Sequence, residues 1–416
     1  MTKNNIRTLL ILVATALLAW VLPWLVKLST NEASRYPFTY YSSVKNEFIQ
    51  VVKEDTETRL MDQSGHEYTR AEYDSLLPML SYRQLLKDGR LPDSLNRKAI
   101  SGKSIQLEQF YFKYSPRDKH HKQMDLNPMF ESMSGRVQIE SPDDLFSIKN
   151  KMVFIDAETN SVLADKSNKF HQAMVKRGYK FPTKMVAGNP STKKLYDEGW
   201  FALDANNQLY HIKMVNGNPF VKNTKAGEKL DIDFVKTIET QNRRMYAFVF
   251  DKSGRLYYLS DVSYEPVQLP IDAYNTNTDG LSIMANPFYW NVVVTTPAQR
   301  ITYALDNHTL EEVDRLTETR ESTTWEKIHP YVFPFYIEMK SMYSKFVYPR
   351  LLGWSVKALA LNAVLAVLLA LLSYRRKQSI KPLQIMLVLC TGLYGLIALW
   401  LFNEKQQETR NVIQLK

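Results

Sequence analysis

The sequence predicts a mainly β extracytoplasmic domain, irregularly β-propeller-like or otherwise antiparallel β with helical insertions, together with three transmembrane α-helices. Three observations predict it. Three apolar runs are each long enough to cross a bilayer. Short alternating stretches around Asp-led turns recur at a step near 47 residues. Almost all of the net charge of +10 flanks the apolar runs.

Composition narrows the classes first. At 416 residues the chain has room for one large domain or a few small ones. A 45% hydrophobic and 12% aromatic content excludes disorder for most of its length. With 14 Gly and 18 Pro it is neither collagen-like nor low-complexity. A single cysteine excludes a disulfide framework and any Cys-rich metal or iron–sulfur site. The mean hydropathy of −0.31 excludes a transporter built wholly within the bilayer.

The first apolar run, 8–26, carries no charge and makes residues 1–27 an N-terminal anchor. Trp20 and Trp24 suit a membrane interface. The rival, a cleaved signal peptide, lacks a small-x-small site after Pro23 and Trp24. The second run, 351–374, contains Lys357 near its start, within snorkelling distance of the interface. It also contains Asn362, whose expected role is a hydrogen bond to a neighbouring helix, with a place in a transport path as the alternative. The third, 383–402, holds Cys390 as a small apolar residue, with Gly392 and Gly395 thinning the helix. Residues 351–416 are thus two spans, a basic loop and a short tail.

Charge sets the direction. Outside 28–350 lie 11 basic and 2 acidic residues, so nine of the ten net charges sit there. The central region has 42 basic and 41 acidic residues, which argues against a nucleic-acid partner. The loop around Arg375, Arg376, Lys377 and Lys381 has no acid and is expected in the cytoplasm. Lys3 and Arg7 place the N-terminus on the same side. Residues 28–350 then lie outside, as does the C-terminal tail. A large outside domain without cysteine points to a bacterial periplasm rather than a eukaryotic secretory route.

Within 28–350, the stretches 60–68, 153–163, 201–210 and 248–258 each read as strand, turn, strand. Asp62, Asp156, Asp204 and Asp251 lead the turns, where an Asp can bond backbone two residues on. Asp156 to Asp204 is 48 residues and Asp204 to Asp251 is 47, within the blade range of about 40–50. A further strand pair, Val292 to Thr296 and Ile301 to Leu305, follows about one step later. The slot near residue 109 holds Phe110 to Tyr114, which reads as a strand but not as the same hairpin. Two helical patches, 70–87 and 168–178, interrupt the pattern. An ordinary antiparallel β domain with coincidental spacing is the alternative.

Chemistry-bearing motifs are sparse. Glu140, Asp143 and Asp144, and likewise Glu311, Glu312 and Asp314, read as solvated turns. Ser132-Met133-Ser134-Gly135-Arg136 lacks the first glycine of a nucleophile elbow. There is no P-loop and no dinucleotide fingerprint. The stretch from Asp118 to Asp125, with His120, His121 and Met124, is the one place where copper or zinc ligands lie close together, and its lysines repel a cation. The aromatic runs Asn286-Pro287-Phe288-Tyr289-Trp290 and Tyr331-Val332-Phe333-Pro334-Phe335-Tyr336 read as β core and membrane collar before they read as a binding face. No catalytic, cofactor-binding or metal-binding residue is assigned.

Four strings add a family. Leu126-Asn127-Pro128-Met129-Phe130-Glu131-Ser132-Met133-Ser134-Gly135-Arg136-Val137 resembles a signature of an uncharacterised membrane-protein family of Bacteroides and relatives, about 400 residues long. So do Tyr73-Asp74-Ser75-Leu76-Leu77-Pro78 with Asp88-Gly89-Arg90-Leu91-Pro92-Asp93, Ala187-Gly188-Asn189-Pro190, and Val347-Tyr348-Pro349-Arg350. The likeness runs from about residue 36 to the last span. It implies a Bacteroidota inner-membrane protein with a domain of unknown function, encoded beside ABC-type transporters, and it transfers no functional residue.

The expectation is therefore a non-enzymatic, inner-membrane-anchored subunit with accessory or sensing duty in a membrane complex. Its partners are the lipid bilayer and a permease or ATPase. One helix already tethers a domain, so two more are expected to pack against something. The alternatives are a periplasmic hydrolase acting on glycans or peptides, and a structural envelope tether.

Overall fold

The computed structural model describes residues 3–30, 36–53, 57–120, 125–319, 322–340, 347–375 and 381–402. The chain forms two compact units, Tyr36–Arg320 and the combination of Met1–Arg35 with Glu321–Lys416.

Along the chain, helix α1 (Lys3–Ser29) comes first. Strands β1 (Phe38–Ser42), β2 (Glu47–Lys53) and β3 (Thr58–Asp62) form an antiparallel meander. Helices α2 (Arg70–Leu76) and α3 (Pro78–Lys87) follow, then a minimal hairpin, β4 (Ser94–Leu95) and β5 (Lys98–Ala99). Helix α4 (Gly102–Glu108), strand β6 (Phe110–Tyr114) and the single turn α5 (Pro116–His120) lead to β7 (Asn127–Pro128), β8 (Asp144–Ile148) and β9 (Met152–Asp156). After α6 (Ala164–Lys176) come β10 (Met185–Gly188), β11 (Trp200–Leu203), β12 (Leu209–Val215) and β13 (Asn218–Asn223). After α7 (Ala226–Lys229) come β14 (Ile232–Thr237), β15 (Met245–Asp251), β16 (Leu256–Ser260) and β17 (Pro266–Gln268). The last sheet of this unit holds β18 (Gly280–Ala285), β19 (Tyr289–Thr295), β20 (Gln299–Asp306) and β21 (Glu312–Thr319), with β6 added at its edge beside β18.

These sheets are antiparallel and pack face to face. The reason is visible in single strands. In β15, Phe248 and Phe250 enter the core shared with β18–β20, while Ala247 and Val249 enter the core shared with β10–β12. In β11, Phe201 and Leu203 face β14–β16, and Trp200 and Ala202 face β8, β9 and α6. Alternate side chains leave opposite faces of a strand, so a sheet apolar on both faces must be covered twice. Tyr41 and Phe48 meet Ala304, Tyr289 and Leu316, which joins the β1–β3 sheet to the other side of the stack. Among the described residues, no shared core links the sheets at the two ends, β1–β3 and β7–β9. The mainly antiparallel β fold with helices is as expected, and among the described residues no closed barrel or propeller is seen.

The repeat differs from expectation in two places. The turns at Asp204 and Asp251 close full hairpins, β11–β12 and β15–β16. Those at Asp62 and Asp156 close on single bridges, Met61 with Glu67 and Ile155 with Val162, because the chain turns into α2 and α6 straight afterwards. The helical patch 70–87 is two helices, since Pro78 cannot donate to the preceding turn and instead opens α3.

The other unit contains α1, helix α8 (Thr324–Val332), the hairpin β22 (Tyr336–Lys340) with β23 (Tyr348–Leu352), and helices α9 (Ala358–Arg375), α10 (Pro382–Thr391) and α11 (Leu393–Leu401). Among the described residues, two helices, Asn5–Ser29 and Ala358–Arg375, are long and apolar enough to cross a membrane. Two spans need correction. The run 351–374 begins in β23 and becomes helical only at Ala358. The run 383–402 is not one helix: it breaks at Gly392, whose φ of +59° and ψ of −127° suit a residue without a Cβ. Asn362 packs against that break and its Nδ2 donates to Leu389 O at 3.0 Å, as the helix-to-helix reading of this residue expects. Tyr394, Phe333, Trp325 and Ala19 form the core of the unit. Most of the basic loop, residues 376–380, lies outside the described residues, as does the tail after 402.

Candidate functional site

A cavity of about 1100 Å3 in the β unit lies between the α2–α3 helices and the edge strand β6. Its geometry starts with local sequence. Thr69 caps α2: its Oγ1 accepts from Glu72 N at 3.4 Å, and Glu72 Oε2 accepts from Thr69 N at 2.8 Å. That fixes Tyr73 and Asp74 on the buried face of the helix. Asp74 accepts from Ser81 Oγ at 2.8 Å and pairs with Arg70 at 3.3 Å.

The far end of α3 is stopped by Gly89. Its φ of +64° lets Arg90 N reach Leu85 O at 2.8 Å and reverses the chain. Arg90 is thereby returned to α2, where its Nη2 donates to Ala71 O at 2.7 Å and to Ser75 Oγ. Asp88 accepts from Gln84 Nε2 at 2.8 Å and lies 3.7 Å from Arg90. The two halves of one signature string pair thus meet at a single rim.

The apolar wall comes from Tyr40, Tyr73, Phe110, Met284 and Ala285. Burial pushes the hydroxyls of Tyr40 and Tyr73 up to about 12, so both stay protonated at neutral pH. Tyr40 Oη accepts from Asn286 Nδ2 at 2.9 Å. The Tyr73 side chain is almost wholly buried, and its hydroxyl has no hydrogen-bond partner among the described residues. Tyr111 on β6 stands out into solvent at 59% exposure. Arg83 donates from Nε to Tyr82 Oη at 3.1 Å and has no carboxylate partner among the described residues. The lining holds two carboxylates, Asp74 and Asp88, each facing an arginine, and no histidine, cysteine or lysine.

A second polar centre is internal. Lys194, Asp197 and Glu239 are almost fully buried, with Lys194 Nζ 2.6 Å from Asp197 and 2.8 Å from Glu239. Ser132 Oγ donates to Asp197 at 2.7 Å, Asn189 Nδ2 donates to Glu239 at 2.8 Å, and Phe130 lies under the Lys194 ammonium. Burial holds the Glu239 carboxyl above its ordinary range. Two more signature strings therefore supply a buried latch. Ser132 is one of its hydrogen-bond donors.

The turn aspartates do not converge. Asp62 Oδ1 accepts from Ser64 N at 2.9 Å and His66 N at 3.1 Å; Asp204 Oδ1 accepts from Asn206 N and Gln208 N, both at 2.8 Å. Asp156 accepts from Thr159 N and Asp251 from Ser253 N, each at 2.7 Å. Asp306, absent from the sequence reading, makes the same contacts to His308 N and Thr309 N at 2.8 and 2.9 Å. Its Leu-Asp-x-x-Thr wording could have been matched to Ile155-Asp156-Ala157-Glu158-Thr159.

Other sequence candidates also find ordinary partners. Asp144 pairs with Lys166 at 2.5 Å, Glu140 with Arg136 at 3.5 Å, and Glu312 with Arg315 at 2.8 Å. In the histidine-containing stretch, Lys119 pairs with Asp233 at 2.6 Å and Asp118 accepts from Lys236 at 3.0 Å. His121, Lys122, Gln123 and Met124 lie outside the described residues. Trp290 is fully buried and donates to Asn307 Oδ1 at 2.8 Å, so the first aromatic run is core.

No curated protein matches the chain. Among solved structures it is similar to PorZ, an essential bacterial surface component of the type-IX secretion system of Porphyromonas gingivalis, at 9% identity and a TM-score of 0.22. That alignment covers 76% of this chain, which spans only 38% of the PorZ chain. It is also similar to the dihydro-heme d1 dehydrogenase NirN, at 10% identity and a TM-score of 0.21, over 71% of each chain. Neither superposition carries over a fold or a function. Residues 38–305 match a family model, and on that match the chain belongs to the domain of unknown function family DUF4857.

Proposed function

We propose that the chain is a membrane-anchored, extracytoplasmic accessory or sensing subunit of a membrane complex. The observation that carries this reading is the apolar surface of the helical unit. Along α9, Leu359, Val364, Val367, Leu368, Leu371 and Leu372 are each about half exposed, and α1 is clothed in the same way. A continuous apolar surface of this kind belongs in lipid or against other membrane helices. Helix α1 alone would tether the β unit, so α9 with the broken α10–α11 pair, read as a second and a third crossing, is more than an anchor needs.

The remaining details follow from the sequence. Lys3, Arg7 and the basic loop favour an N-terminus in the cytoplasm of a bacterial inner membrane and residues 28–350 outside. The face-to-face sheets are read as blades of an irregular, open propeller-like stack. The partner is a permease or ATPase of the ABC type. Purification of the full chain in mild detergent, with mass spectrometry of what accompanies it, tests the reading. Stoichiometric recovery of a permease or ATPase is expected, and a clean monomer overturns it.

A further inference from the structure

We propose that the cleft between α2–α3 and β6 binds an amphiphilic organic monoanion, with a carboxylate on Arg83 and an aromatic or aliphatic body along the tyrosine wall. The inference rests on the sensing reading above and supplies what would be sensed.

Charge selects the ligand. Three guanidiniums and two carboxylates line the cleft. Arg70 is matched by Asp74, and Arg90 is held by Asp88, Ala71 and Ser75. Among the described residues Arg83 is left with Tyr82, its Nε donating to the phenol oxygen and its guanidinium 5.7 Å from the ring centroid. Its terminal nitrogens form the planar fork that receives a carboxylate in two parallel hydrogen bonds. One surplus positive charge suits one negative charge. A phosphate dianion would gain the same fork but meet the neighbouring Asp74 and Asp88 carboxylates.

The wall selects the body. Tyr73, Tyr82, Phe110 and Tyr111 give the cleft an aromatic lining far larger than an inorganic anion needs. A volume near 1100 Å3 slightly exceeds the range of small-molecule sites, which run to about 1000 Å3, so the cleft has room for a bulky apolar body. Tyr73 adds a protonated, unpartnered hydroxyl for a polar substituent of the ligand.

The test uses the full chain in maltoside micelles and isothermal calorimetry. The probes are 1-naphthaleneacetate, its neutral isostere 1-naphthaleneacetamide, and 1-naphthyl phosphate. The acetate is expected to bind saturably, about tenfold tighter than the acetamide, with the phosphate no tighter than the acetate. Arg83→Gln should reduce the acetate-to-acetamide preference to within twofold, and Arg83→Lys should restore part of it. Tyr111→Ala should weaken the acetate and the acetamide alike. No saturable heat, equal binding of acetate and acetamide, a preference unchanged in Arg83→Gln, or a phosphate that binds tightest would each overturn the assignment. If the acetate binds as described but no membrane partner co-purifies, the subunit reading fails while the cleft stands. If a partner co-purifies and the acetate does not bind, the cleft assignment alone fails.

Discussion

Asp204 is 1% exposed, and its two carboxylate oxygens accept from Asn206 N, Gln208 N and Lys180 N at 2.8, 2.8 and 3.1 Å. Removing that acceptor leaves three backbone donors without a partner at a buried turn. Asp204→Ala should cost about 2–3 kcal/mol, read as a lower urea midpoint of the tryptophan fluorescence transition. Asp204→Asn keeps one acceptor oxygen and should cost less; equal losses would show that charge, not acceptance, is what the turn needs. His211 gives a second prediction at this scale. Phe201 stacks on its ring, and burial holds it down at about 3 from an ordinary 6.5. The folded chain keeps this ring neutral where an unfolded chain has already taken the proton. Stability therefore falls as pH drops through the window from about 6.5 to 3, and is fully present above it. Selectively labelled histidine should show ring shifts for His211, identified by its loss in His211→Gln, that stay constant from pH 8 to pH 4.5. A midpoint near pH 6.5 would contradict the burial argument. The turn aspartates were legible in the sequence as a period. Their saturation by their own turns was not, because a periodic carboxylate reads the same whether it faces a cleft or its own backbone.

Strand β6 shows why element order in the sequence misleads. Phe110 to Tyr114 falls in a slot of the repeat, yet its partner is β18, Gly280–Ala285, far along the chain. No local pattern encodes a non-local pairing, so the strand was predicted and its place was not. The cleft depends on that place. It was invisible in the sequence for the same reason, although Tyr73, Asp74, Asp88 and Arg90 all stood in strings singled out for their family likeness. The third apolar run fails differently. Hydropathy sums side chains and is blind to a backbone that turns at Gly392. A Cβ there would lie 2.2 Å from Asn362 Oδ1, and the left-handed φ of +59° disfavours any side chain. Gly392→Ala should lower the thermal midpoint of the full chain in detergent, by a loss of about 2 kcal/mol or more. Asn362→Ala removes the clash but leaves the backbone cost. The double variant should therefore recover at least about 0.5 kcal/mol relative to the sum of the singles. Strict additivity would mean that the two residues do not touch in the working protein.

Across the whole molecule, sequence and structure divide the work between periodicity and charge. The step near 47 residues fits the two central sheets because each is built on one Asp-led hairpin packed between two cores. It drifts where helices α2, α3 and α6 intervene. Charge patterning bears on which side of the membrane the β unit occupies. The central region is nearly neutral, whereas the flanks hold nine of the ten net positive charges. Lys and Arg in short loops are retained in the cytoplasm, while large domains translocate largely regardless of their own charge. A fusion after Thr319 is therefore expected to give active alkaline phosphatase and dark green fluorescent protein, and a fusion in the basic loop after Arg376 the reverse. Reversing the loop, with Arg375, Arg376, Lys377 and Lys381 all changed to Glu, should weaken the asymmetry at the loop while α1, fixed by Lys3 and Arg7, still exports the β unit. If fluorescence instead matures after Thr319 in the natural chain, the β unit is cytoplasmic. The cleft would then face the cytosolic pool of organic anions, and the two basic flanks would no longer account for the orientation.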